Sequence, residues 1–164
     1  MLVSILPMAT LNSPPVSTTT ANTKRRRPTS PSADTYRPQR VSGLAIIEQA
    51  RLGVATQQVD QLTDLLQVSF KEMATILQVA ERTLHRFRSA GHLDQQASER
   101  LLLVENLAAH GLLVFDGQSH ALADWLRYPL RELKGQTPLQ LLTTISGFGL
   151  VDDVLTRIEY GVYS

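Results

Sequence analysis

The stretch SFKEMATILQVAERTLHRFR, residues 69–88, carries two short helical patterns on either side of a tight turn. Ser69-x-x-Glu72 is a capping box: the serine hydroxyl and the glutamate carboxylate can each accept a backbone N–H left free at a helix start. The helix it opens presents Met73, Ala74, Ile76 and Leu77. Gln78-Val79-Ala80 reads as the turn, and Glu81 to Ser89 as a second helix with Leu84 and Phe87 inward, stopped by Ala90-Gly91. Small Ala74 permits close crossing and Val79 plugs the turn, which is the spacing of a helix-turn-helix. The second helix exposes Arg82, Thr83, His85, Arg86 and Arg88, and residues 82–88 contain no acid. Arginine can meet guanine O6 and N7 bidentately or clamp a phosphate, while threonine and histidine serve either task. This face is therefore the candidate DNA contact. The competing reading is a helix-turn-helix used only for packing, its arginine row a solvated face.

On the amino-terminal side, Leu44, Ile47, Ala50 and Arg51 recur at spacings of three and four and predict a helix that Gly53 ends. Val59, Leu62, Leu65 and Leu66 form the next apolar stripe. On the other side, Asp94 is a suitable N-cap for the longest helix, residues 95–114, with Ala97, Leu101, Val104, Leu107 and Ala108 inward. Leu102, Leu103, Leu112, Leu113 and Val114 make that helix apolar on more than one side, so it is either central or shared with a partner. Ser119 to Leu126 follows, broken by Tyr128-Pro129, and Leu130 to Gly135 reads as a turn. Thr137-Pro138 opens a short helix that Ser146-Gly147 closes. The last helix is expected from about Phe148 to Tyr160, ending at Gly161. Only the final Val162-Tyr163-Ser164 offers any strand pattern. The expected fold class is all-α.

Charge divides the chain more sharply than its totals. Lys+Arg number 16 against 15 Asp+Glu over 164 residues, a net charge of +1 that is a cancellation. Residues 1–40 hold six basic groups, including Lys24-Arg25-Arg26-Arg27, against Asp34 alone, with six prolines and no glycine. Such Ser/Thr/Pro-rich composition lacks the apolar residues to offset ordering entropy, so 1–40 is expected to be a disordered basic tail. Its basic run suits nucleic acid, an acidic partner or simple solubility. Residues 41–93 are neutral, five acids against five bases, and form the helix-turn-helix region. Residues 94–164 hold nine acids against five bases, which disfavours DNA. Trp125, Tyr128, Tyr160 and Tyr163 concentrate the aromatics there, as suits a protein contact, although Trp125 and Tyr160 also read as core residues.

Several function classes are excluded. Without cysteine there is no disulfide, thiol nucleophile or Cys-based metal site. His85, His92, His110 and His120 do not stand at metal-ligand spacing, and His110 reads as a satisfied core or interface histidine. Gly147-x-Gly149 lacks the strand and lysine of a phosphate loop, and no nucleophile–base pattern appears. Neither an enzyme nor a cofactor is expected. No stretch approaches the roughly 18–20 apolar residues of a membrane span, and a reducing, cytoplasmic setting fits the composition.

Thr83-Leu84-His85-Arg86-Phe87, followed by Leu93-Asp94 leading into Ser98-Glu99-Arg100-Leu101-Leu102, resembles the arrangement of Xre/MbcA/ParS-type antitoxins. Ala123-x-Trp125-Leu126-Arg127-x-Pro129, Gly135-x-Thr137-Pro138-Leu139-x-Leu141-Leu142 and Val154-Leu155-x-Arg157-Ile158-Glu159-Tyr160-Gly161-Val162-Tyr163 extend the resemblance to the last residues. Tyr128 and Leu130 depart from the family pattern, which has a short polar residue and an asparagine there.

The resemblance implies an Xre-like helix-turn-helix unit (41–93) for DNA binding and dimerisation, followed by a small helical toxin-binding domain (94–164). It implies an antitoxin of a type II toxin–antitoxin system that binds a RES-domain toxin, sterically blocks its NAD pocket and represses its own operon as a dimer or higher hetero-oligomer with the toxin. Carried onto this chain, the toxin-binding candidates are Trp125, Arg127, Glu159, Tyr160, Gly161, Val162, Tyr163 and Ser164. Operator DNA would meet Arg82, Thr83, His85, Arg86 and Arg88. The alternative is a stand-alone helix-turn-helix transcriptional regulator with no toxin partner.

Overall fold

The computed structural model describes residues 36–161, all of whose regular elements are helical. In chain order these are α1 (Gly43–Leu52), α2 (Gln57–Leu65), α3 (Phe70–Ile76), α4 (Glu81–Ala90), α5 (Gln95–Val114), α6 (Ser119–Arg127), α7 (Pro138–Leu141) and α8 (Ile145–Glu159). A short 3-10 turn, Arg131–Leu133, joins α6 to α7. Among the described residues β pairing is confined to two isolated bridges, Ala55 with His92 and Leu130 with Gln136.

Local signals set most of these boundaries. Ser69 Oγ accepts from Glu72 N at 3.2 Å and Glu72 Oε2 accepts from Ser69 N at 2.7 Å, which completes the capping box of α3. Asp94 accepts from Ala97 N at 2.8 Å at the start of α5, and Thr137 with Gln140 makes a second capping box before Pro138. Gly91 ends α4 in the left-handed conformation at φ +86, where a Cβ would be strained. The polar Gln78 takes the corresponding strained position in the helix-turn-helix turn, at φ +58, and its side chain donates to the Thr75 carbonyl.

α5 is central, which accounts for most of its apolar surface, although Leu113 near its end is 64 % exposed. It packs along α1 on one side and α8 on another, and also meets α2 and α6. Leu101, Val104 and Leu107 are buried with Val59, Leu62 and Leu66 of the first half and Leu122, Leu126 and Leu155 of the second, so one core runs through both. Gly111 lets α6 close onto α5, since a Cβ there would strike the Leu122 side chain.

Three expectations change. On α1 the buried face is Ile46 and Ala50, whereas Leu44 and Ile47 are exposed. Residues 44–47 are all apolar, so spacing alone does not single out one stripe, and contact with α5 selects it. Ser146-Gly147 does not close α7 but lies in the first turn of α8: Thr144 is the N-cap and accepts from Gly147 N at 3.1 Å. The glycine is needed there because a Cβ would collide with the Leu141 carbonyl. Finally, the expected disorder does not extend to residue 40. Pro38 is buried, the Tyr36 hydroxyl donates to Glu105 at 2.7 Å, and Val41 exchanges reciprocal hydrogen bonds with the Asn106 side chain. An aromatic ring and paired amides offset the ordering cost of this segment. Burial and the Glu105 carboxylate both push the Tyr36 hydroxyl well above the ordinary tyrosine range. Residues 1–35, with the Lys24–Arg27 run, and the strand pattern at 162–164 lie outside the described residues.

Candidate functional site

The helix-turn-helix stands on α3 and α4. Met73, Ala74, Leu77 and Leu84 are buried, with Val79 and Phe87 packed against the core. On the outward side, Arg82, Thr83, His85, Arg86 and Ser89 line a shallow cleft of about 430 Å3. Arg82 and Arg86 lie one turn apart and exposed, so two guanidinium groups sit on one edge of α4. Arg88 is committed within the chain. It pairs with Asp60 of α2 at 2.9 Å and stacks over the Phe70 ring. His85 faces the same ring, centroids 4.5 Å apart. The five expected DNA contacts therefore divide into three that lack a carboxylate partner among the described residues, Arg82, Thr83 and Arg86 (the last with its guanidinium 5.8 Å from the Phe87 ring centroid), and two, His85 and Arg88, that brace α4 against Phe70.

The carboxy-terminal candidates are also dispersed. Trp125 packs against Phe115, ring centroids 5.9 Å apart, and belongs to the rim of the core. Arg127 reaches across to the helix-turn-helix, where Nη1 is 2.9 Å from Glu72 Oε1 and Nη2 donates to the Gln67 carbonyl at 2.7 Å. Glu159 turns inward to His110. Tyr160 is 73 % exposed at the end of α8, and Gly161 follows in the left-handed region at φ +67. Val162, Tyr163 and Ser164 lie outside the described residues. Ile145 and Leu150 on α8, which no sequence signal marked as outward, are 56 % and 51 % exposed.

The Arg127–Glu72 pair has a pH signature. Arg127, helped by the Ser69 backbone, holds the Glu72 carboxyl down at about 2, from an ordinary value of 4.5. The folded form thus favours the ionised carboxylate. Its stabilisation is complete above the ordinary carboxylate range and is lost as pH falls from about 4.5 through about 2. Both side chains are about two-fifths exposed, so solvent screening limits the pair to about 1 kcal/mol. Glu72→Gln keeps the cap to Ser69 but removes the charge. Urea unfolding should show it about 1 kcal/mol less stable than the parent at neutral pH, the gap closing on acidification. A gap independent of pH would mean that the carboxylate charge contributes nothing.

His110 lies between Asp152 and Glu159, as a satisfied core histidine. These two carboxylates occupy opposite edges of the ring, so they do not converge on a common point. Among the described residues no group of three His, Asp or Glu side chains is placed to hold a metal, and no helix is long and apolar enough to cross a membrane.

Comparison with known proteins covers both halves. Residues 45–106 match a family model described as the antitoxin Xre-like helix-turn-helix domain. Residues 110–161 match one described as the antitoxin Xre/MbcA/ParS C-terminal toxin-binding domain. The two matches meet inside α5, the helix common to both halves. Among curated proteins, an Antitoxin Xre of Yersinia enterocolitica is 24 % identical over 123 residues, covering 74 % of this chain and 83 % of the relative. A protein of a Sphingobium species named Prs ADP-ribosylating antitoxin is 27 % identical over 138 residues, 79 % of this chain and 85 % of the relative. An Antitoxin Xre of Photorhabdus laumondii is 30 % identical over 79 residues, 48 % of this chain and 53 % of the relative. Neither matching domain is described as an enzyme.

Proposed function

The chain belongs to the Xre/MbcA/ParS antitoxin family, and from that premise we propose that it neutralises a RES-domain, NAD-degrading toxin with its carboxy-terminal half and represses its own operon through α4. The observation that carries this reading is the toxin-binding-domain match, which ends at residue 161 where the exposed Tyr160 and Gly161 leave α8. Inhibition is steric. Tyr160, Gly161, Val162, Tyr163 and Ser164 enter the mouth of the toxin's NAD pocket, and the exposed face of α8, with Ile145 and Leu150 at its two edges, lies against its wall. An aromatic anchor seated in such a pocket mouth, at the centre of the interface, contributes disproportionately to affinity. Trp125, Arg127 and Glu159 act from behind, by shaping the domain that presents this surface. Arg82, Thr83 and Arg86 meet the operator, and a dimer of the chain supplies two such helices to two half-sites.

Operon and partner are tested together. The chain should co-elute with the RES-domain protein encoded beside it, and should retard DNA from upstream of its own gene. Separate elution of the two proteins would overturn the toxin reading and favour a stand-alone regulator. The Sphingobium relative's name supports a second reading, in which the partner transfers ADP-ribose from NAD to a protein. NAD labelled in its ADP-ribose part separates the two: transfer leaves label on protein and releases unlabelled nicotinamide, whereas degradation leaves the label in small products.

A further inference from the structure

His110 is 1 % exposed, and both of its ring nitrogens face carboxylate oxygens. Nδ1 is 2.6 Å from Asp152 Oδ1, and Nε2 is 3.1 Å from Glu159 Oε2. A carboxylate can only accept, and a neutral imidazole has one N–H and one bare lone pair. Either neutral tautomer would leave a ring lone pair against a carboxylate oxygen, a clash that the buried ring itself shields from water although the two carboxylates are about a third exposed. The imidazolium donates to both. Asp152 and Glu159 are two turns apart on α8 and so straddle the ring. The other oxygen of Asp152 is 3.6 Å from Arg40 of the amino-terminal segment. On α5 itself the nearby Glu105 is taken by the Tyr36 hydroxyl.

These contacts fall at a mechanically sensitive place. Glu159 is the last residue of α8, and the closing turn is otherwise held by Tyr160 N donating to Thr156 O and Gly161 N donating to Ile158 O. Helix ends fray because their last carbonyls lack intrahelical partners. We propose that His110 is a positioning residue: held as the imidazolium, it ties α5 to the last turn of α8 and so fixes the direction in which Tyr160 and Gly161 are offered to the toxin. The role in presentation rests on the toxin-binding reading; the tie itself does not.

The test uses the full chain. Ring nitrogen NMR shifts at neutral pH should show both His110 nitrogens protonated. In His110→Gln, and in the surface-side variant Glu159→Gln, amide exchange at Ile158–Gly161 should accelerate about tenfold, the scale of removing one charge-assisted hydrogen bond. Val151–Leu155, earlier in the same helix, should exchange as in the parent. A bare ring nitrogen, or unchanged exchange at the last turn in both variants, overturns the tie. Affinity for the RES-domain toxin should fall about tenfold in His110→Gln, and an unchanged affinity beside an accelerated last turn overturns the role in presentation. Failure of the unmodified chain to bind that toxin overturns the toxin reading instead, and the exchange and ring measurements still decide the tie.

Discussion

Replacing Arg82 and Arg86 together by alanine should weaken binding to the chain's own upstream DNA by roughly hundredfold, since each base- or phosphate-reading arginine contributes about 1–3 kcal/mol. The salt dependence should flatten at the same time, by about 0.9 in the log–log slope for each phosphate that is no longer neutralised. The two side chains are singled out because they are exposed, one turn apart and on the cleft of α4. Arg88→Ala is the instructive contrast. Its guanidinium already pairs with Asp60 and covers Phe70, so its removal should act first on stability, within the modest range of exposed ion pairs, with a smaller effect on DNA. Gel shift over a salt series measures both. Equal weakening by Arg88→Ala and by the Arg82/Arg86 double variant would place the DNA contact elsewhere on the helix-turn-helix.

The second large effect concerns the end of α8. A chain ending at Glu159 keeps the His110 pair and the buried Val151, Val154 and Leu155, so the domain should fold and still retard DNA. It lacks Tyr160, Gly161 and the three residues beyond, and should lose most of its inhibition of the toxin. Tyr160→Ala should reproduce a large part of that effect, about 2 kcal/mol or more for a central aromatic anchor. Full inhibition by the shortened chain would transfer the inhibitory role to the exposed face of α8 between Ile145 and Leu150.

How much of this was legible in the sequence follows the range of the interaction responsible. The capping box at Ser69, the cap at Asp94 and the glycine stop at Gly91 each depend on residues within a few positions, and each stands where the spacing predicts. The apolar surface of α5 announced a central helix or a shared one, and the packing of α1 and α8 around it makes it central while leaving Leu113 exposed. The inward face of α1 was not legible, because four consecutive apolar residues leave the choice to α5. Nor was the start of α8, where Gly147 answers to the close approach of the Leu141 carbonyl rather than to a turn. Among the site residues the arginine-rich face of α4 was evident. That Arg88 is committed to Asp60, Arg127 to Glu72 and Glu159 to His110 was not, since these partners lie 28, 55 and 49 residues away. A charged side chain announces its chemistry in the sequence, but not whether the fold has already used it.

If this chain neutralises an NAD-degrading toxin, as proposed, NAD consumption by a cognate RES-domain protein with and without the chain is the most direct measure. Titrating the full chain into that reaction should reduce consumption in proportion to complex formed, reaching complete inhibition once the toxin is saturated. Undiminished NAD consumption in the presence of a saturating excess of the full chain would overturn the proposed neutralisation.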